Sequence, residues 1–166
     1  MEAPEVRCPG CGVLLPARQG RGQVEGDTSV ACRALYHQLT AETLSDADPS
    51  FPHQLAVDAY AAQHPGASSK PITTAFALIG LHLVCERGFT GRQVQSAHMQ
   101  LARRRQEWPR FQSPARRGAV TVADVLAAGG DKRNEALSRW VRSVWAAWES
   151  EHGRVAALVR ERLYRR

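Results

Sequence analysis

Long hydrophobic runs are missing from this chain. The longest apolar stretch, Ala75 to Cys85, is interrupted by Gly80 and His82. It falls well short of the roughly 18 to 20 residues that a membrane-spanning helix needs. The first residues, Met1-Glu2-Ala3-Pro4-Glu5, lack the basic-then-apolar order of a secretion signal. Together these absences predict a cytoplasmic protein with no membrane partner. No segment alternates with the period of a strand, which points away from β-rich folds. There is no Gly-Lys-Ser phosphate loop, no Gly-x-Ser-x-Gly elbow and no His-Glu-x-x-His pair, so the chemistries those motifs mark have no support. Gly20-Arg21-Gly22 follows no strand and lacks dinucleotide-loop spacing.

Lysine is scarce as well: Lys70 and Lys132 stand against twenty arginines. The net charge of +6 is therefore almost entirely guanidinium. It is densest at Arg103-Arg104-Arg105, Arg110, Arg116-Arg117 and the tail Arg160, Arg162, Arg165, Arg166. Arginine forks suit phosphates and carboxylates, which makes nucleic acid or an acidic protein a candidate partner. Dispersed arginines also solvate helix faces, and that reading is preferred. At 166 residues the chain is long enough to bury about two thirds of its unfolded surface.

The periodicity predicts one all-α domain over 1–166, with an irregular arm over 1–28 and an up-down helical bundle over 29–166. A first helix, about 30–46, is capped by Ser29, with Cys32, Leu35, Tyr36 and Leu39 on one face. A second runs from Ser50 as N-cap, with Pro52 in its first turn, to about His64. A third, about 70–88, is apolar nearly all round and belongs in the centre, ending at Gly88. Thr90 and Gln93 open a fourth, about 91–107, through a capping box. Thr121 to Asp124 cap a short fifth. The sixth is a single long helix over about 132–164, bent at Gly153.

Four cysteines are present, and two of them make the most specific motif, Cys8-Pro9-Gly10-Cys11-Gly12. A Cys-x-x-Cys turn in a reducing compartment favours metal over disulfide. Cys32 is the natural third thiolate of a structural Zn²⁺ site. His37 lies roughly 140° from Cys32 around their helix and does not share a site with it. His53 and His64 lie within about 20° of each other around the second helix but roughly 16 Å apart along it. They must serve two places. Antiparallel packing brings the start of the first helix to the end of the second and favours His64 over His53 as the fourth ligand; a slip of one turn reverses the choice. The same alignment sets His53 level with His82 and His98, with Glu42 and Asp46 at that height. Three imidazoles and a carboxylate suit a second divalent metal with an open position, an architecture similar to that of helical-bundle metalloenzymes. Such a pocket would support metal-assisted or acid–base chemistry on a small molecule, with His53 or His82 as base and Asp58 or Glu42 orienting it. The competing reading is that each histidine is a core residue with a local partner. By helix angle Asp58 points away from His53 and His64, toward Lys70 or an arginine. Tyr60 lies on the His53/His64 face. Trp145, Trp148 and His152 form an aromatic seam, and Cys85 reads as a small core hydrophobe.

The run Cys8-Pro-x-Cys11-Gly, then Cys32, then His53-Gln-Leu-Ala-Val-Asp58-Ala-Tyr60-Ala-Ala-Gln63-His64-Pro65, resembles an uncharacterised bacterial family, a domain of unknown function. Trp145-Ala-Ala-Trp148-Glu149 is similar to that family too. The resemblance carries no activity; it implies that His53, Asp58, Gln63 and His64 work as a cluster. Three functional readings follow. The first is a zinc-binding helical protein with a histidine-lined pocket, acting on a small molecule. The second is a zinc-structured module for nucleic acid or an acidic protein. The third is an obligate protein partner using an exposed apolar stripe on the sixth helix.

Overall fold

The computed structural model describes residues 3–20 and 25–165. They form a mainly α-helical structure with one small sheet. The arm is more regular than its composition predicts. Strands β1 (Glu5–Arg7) and β2 (Leu14–Pro16) pair antiparallel, with Val6 opposite Leu15. The Cys-x-x-Cys turn makes this hairpin. The Cys8 N–H donates to the Val13 carbonyl at 2.8 Å, and the Gly12 N–H to the Cys8 carbonyl at 2.9 Å. Chain reversal places the flanks side by side, and three residues a side are too few for alternation to show in the sequence.

Helix α1 (Val30–Ser45) starts where predicted, with the Ser29 hydroxyl accepting from the Cys32 N–H at 3.1 Å. Helix α2 (His53–Gln63) begins two residues later than expected, with Pro52 and not Ser50 as its N-cap. Ser50 is diverted: its N–H and hydroxyl both donate to the Asp48 carboxylate, at 2.8 and 2.7 Å. A side-chain turn has outcompeted the helix cap. Helix α3 (Pro71–Arg87) ends on Gly88 in the left-handed region, φ 68°, with the Phe89 N–H reaching back to the Leu83 carbonyl. This is the arrangement for which glycine has no steric penalty.

Helix α4 (Gly91–Ala102) has both halves of the predicted Thr90/Gln93 box. It stops five residues short of the predicted end. Arg103, Arg104 and Arg105 are exposed and offer no apolar face to bury, while Gln106 turns back to donate to the Leu101 carbonyl. Helix α5 (Val122–Ala128) is boxed by Thr121 and Asp124.

The predicted long helix is two. Helix α6 (Arg133–Ala147) and helix α7 (His152–Leu163) are separated by a 3₁₀ turn, Glu149–Glu151. The break falls at Trp148 and not at Gly153, which lies inside α7. Trp148 is fully buried and donates its indole N–H to the Ala62 carbonyl. His152 donates from Nε2 to the Trp145 carbonyl at 2.8 Å. Side-chain bonds thus replace the backbone ladder where the chain turns.

Helix α2 packs on α1, α3, α4 and α6, and α3 on α2, α4, α6 and α7. These two helices form the centre, and α3 buries Leu78, Ile79, Leu81 and Leu83. The apolar stripe of α6, including Leu137, Trp140, Val141 and Val144, is buried in the same core. It is not the exposed contact face that an obligate partner would use. No helix of the described residues is long and apolar enough to cross a membrane.

Candidate metal centre

Three separate elements deliver four donor atoms to one point. The hairpin turn presents Cys8 and Cys11, the first turn of α1 presents Cys32, and His64 is the C-cap residue of α2. All four donor atoms lie within 4.8 Å of one another. Cys11 Sγ is 3.8 Å from Cys32 Sγ, and Cys32 Sγ is 3.5 Å from His64 Nε2. A tetrahedral ion with metal–sulfur bonds of about 2.3 Å and a metal–nitrogen bond of about 2.05 Å requires edges of about 3.8 and 3.6 Å. The observed edges match. The thiols are free, and a disulfide would need sulfurs roughly 2.05 Å apart.

The histidine is pre-set for this role. Its Nδ1–H donates to the Tyr60 carbonyl at 2.8 Å, which in the neutral ring leaves the Nε2 lone pair facing the thiols. The Tyr60 ring stacks on the imidazole with centroids 4.0 Å apart, and on Tyr36 at 3.9 Å. The Tyr60 hydroxyl pairs with the Thr28 hydroxyl at 2.6 Å, and Thr28 Oγ1 lies 3.8 Å from Cys8 Sγ.

Electrostatics in the metal-free cluster favour one thiolate. Hydrogen bonds from Cys11 and Cys32 hold Cys8 far below the ordinary thiol range. Cys32 is pushed far above that range by Cys11 and Cys8, then by burial. Cys11 receives a lowering hydrogen bond from Cys32, yet Cys8 and burial outweigh it and push the thiol up to about 11. Three sulfurs this close share protons unless a cation replaces them.

Glycine makes the approach possible. A Cβ on Gly10 would lie 2.3 Å from the Asp27 carbonyl oxygen and 2.7 Å from His64 Cδ2. The Asp27 N–H donates to the His64 carbonyl at 3.0 Å. Arg117 closes the assembly: its guanidinium donates to Asp27 Oδ2 and the Pro65 carbonyl, both at 2.9 Å. Gln63 is fully buried and fully used. It donates to the carbonyls of Arg117 and Val120 and accepts from the Trp140 indole at 2.9 Å. Asp27 and Thr28 carry no sequence signal because they lie in a loop, without periodicity; Arg117 stands out in the sequence only as part of a basic cluster.

The other predicted site residues go elsewhere. His53 Nδ1 pairs with the Thr43 hydroxyl at 3.0 Å, on the other side of α2's length from the thiols. Asp58 does not reach Lys70 or an arginine. It is buried against Gly80, accepts from Gln54 at 3.1 Å and lies 3.9 Å from His98 Nε2. His98 donates from Nε2 to the Phe76 carbonyl at 2.9 Å, and its Nδ1 faces the Gln54 amide at 3.3 Å. His82 lines a different cleft, edge-on to Trp145. Glu42 and Asp46 turn to Arg133.

The three-histidine arrangement is therefore not formed. Among the described residues, the Cys8, Cys11, Cys32, His64 group is the one that gathers three or more metal donors. The expected His53, Asp58, Gln63, His64 cluster divides into four separate tasks along one helix, because residues on successive turns of α2 meet different neighbours. Cys85 is half-buried, and burial pushes its thiol up to about 11, as suits an inert core sulfur. Arg117, Arg133, Arg139, Arg154 and Arg162 make contacts within the chain, and the triplet at 103–105 is exposed.

Fold and site together define a mainly α-helical protein with a Cys₃His group compatible with a metal site, drawn from the hairpin turn, the start of α1 and the end of α2. Residues 6–149 match the model of the Family of unknown function (DUF5946), and the chain belongs to that family. No curated protein and no solved structure matches it.

Proposed function

We propose that this is a zinc-structured binding protein, in which one Zn²⁺ fastens the N-terminal hairpin and the 25–28 loop to the end of α2. The observation that carries the reading is the pair of edges, 3.8 and 3.5 Å, that suit a tetrahedral ion. The donor set supports zinc: three thiolates and one imidazole are borderline-soft ligands. Four protein donors fill a tetrahedron and leave no position for substrate, which marks a structural role. When bound, the ion supplies cross-linking energy to an arm whose own core is small. The free thiols suit a reducing compartment such as the cytoplasm.

The acid–base alternative has weaker support. Asp58, Gln54 and His98 satisfy one another between packed helices. Elemental analysis of the purified chain tests the proposal. About one zinc per chain is expected, and Cys11→Ser or Cys32→Ser should lose it while far-UV circular dichroism retains most of the helix signal. A metal-free native protein whose arm amides stay protected from hydrogen exchange would overturn the reading.

A further inference from the structure

A second feature, unconnected with the metal centre, lies between α3 and α7. A cleft of about 470 Å³ opens there, within the range of roughly 300 to 1,000 Å³ typical of small-molecule sites. No donor of the Cys₃His set lines it. One wall is α7, which lies beyond the residues matched by the family model.

His82 stands in the wall of the cleft. His82 is only 9% exposed, yet its Nδ1 has no hydrogen-bond partner. Neither ring nitrogen is engaged among the described residues, while His53, His64, His98 and His152 all are. That Nδ1 is sealed off from the cleft, so the ring nitrogen left to meet a bound group is Nε2, which has no partner among the described residues either. Burial lowers the affinity of His82 for a proton, so at neutral pH the ring offers one donor and one acceptor.

The surroundings define the kind of group. Trp145 is locked in place: its indole N–H donates to Glu86 at 2.7 Å, and its ring stacks on His152 with centroids 3.8 Å apart. Glu86 is thereby committed. Arg87 and Arg160 line the same cleft, are exposed, and form no ion pair among the described residues. Ala156 and Val159 supply an apolar floor. Two guanidiniums without an ion-pair partner, Arg87 lying over the Tyr164 ring at 5.4 Å, stand beside an apolar surface and an imidazole edge and favour an anion with a compact apolar body.

We infer that the α3–α7 cleft binds a small organic anion, a carboxylate or phosphate monoester, whose oxyanion meets Arg87 and Arg160 and whose body contacts His82 and Trp145. Gly153 offers a clean block. It lines the cleft, and a Cβ built there meets nothing within 4 Å, so Gly153→Phe can fill the space without strain at its own backbone.

The test uses the zinc-loaded, ¹⁵N-labelled full chain, titrated with benzoate, phenyl phosphate, benzyl alcohol and benzylamine. Trp145→Phe assigns the indole signal. Saturable shifts of the Trp145 indole N–H and the Gly153 amide are expected with one or both anions, and the tighter of the two identifies the headgroup. Benzylamine and benzyl alcohol should leave these signals in place. Arg160→Ala and Arg87→Ala should each weaken binding by about tenfold, the order of one charge-assisted contact. Gly153→Phe should abolish binding while zinc content and helix signal stay unchanged. Absence of saturation by about 10 mM of either anion, beyond even the weak millimolar range, would overturn the inference. Equal shifts from benzylamine, or anion affinity unaltered by both arginine substitutions, would overturn it too. The zinc proposal stands or falls separately, on metal content.

Discussion

Gly80 makes room for Asp58. A Cβ at position 80 would lie 1.9 Å from the Asp58 carboxylate oxygen and 3.2 Å from Val94. Helices α2, α3 and α4 meet at this point, and the smallest residue on α3 admits a polar side chain from α2. Gly80→Ala should therefore destabilise the fold by about 2–3 kcal/mol, as overpacking in a tight core does. Urea denaturation would measure it. Adding Asp58→Ala should recover part of the loss, because the two changes share one contact.

Gly10 plays the matching role at the proposed metal centre. Gly10→Ala should push the hairpin turn off His64 and weaken zinc retention by about 10- to 100-fold, the usual effect of disturbing the support of a metal ligand. Competition with a chromogenic chelator would show it. Gly153→Ala, at an open position, should leave retention unchanged.

Gln63 joins α2 to α6 and to the loop after α4. Gln63→Leu would strand the Trp140 indole N–H and the Arg117 and Val120 carbonyls. A loss of about 3 kcal/mol is expected, since each orphaned buried group costs about 1–3 kcal/mol and local relaxation recovers some. In a Trp140→Phe background the same substitution should cost less.

His98 sets a slope of stability with pH. Burial pushes its pKa down from 6.5 to about 4, against a raising hydrogen bond to the Phe76 carbonyl. The folded state thus binds the proton less well than the unfolded one. Its contribution is complete above pH 6.5 and is lost as pH falls toward 4, by about 3 kcal/mol in all. Asp58 acts in the opposite sense. Burial raises its carboxyl well above 3.8, so its contribution is complete below the unfolded value and declines as pH rises through the folded one. His98→Gln should flatten the acid limb, and Asp58→Asn should steepen it. Thermal melts between pH 4 and 7 would separate the two.

Much of the helical framework could be read from local chemistry. The Ser29 and Thr90 caps, the Thr121–Asp124 box and the Gly88 stop act within a few residues, so short-range rules located them. The failures share a cause. Ser50 lost its capping role to Asp48. The long C-terminal helix broke because Trp148 found a carbonyl on α2 and His152 found one on Trp145. In each case a competing bond replaced the one that periodicity assumed.

The candidate sites divide in the same way. Cys8, Cys11 and Cys32 announce metal chemistry by residue type and spacing, and the α1–α2 turn-back made His64 the favoured fourth donor. The proposed pocket around His53, His82 and His98 did not form, since helix angle and height say which residues lie level, not which way neighbouring helices are rotated.

By itself, then, the amino-acid order determined a helical chain with a thiol-bearing hairpin turn at its front, because caps, breakers and the Cys-x-x-Cys spacing act locally. Only the tertiary structure decided that Gly10 seats the turn on His64, that Arg117 secures it through Gln63 and Pro65 from a loop more than fifty residues away, and that His82 lies in a cleft against α7. Those contacts depend on how packed helices are rotated and how closely they approach, which is set by the fit of the whole core and not by any one segment of it.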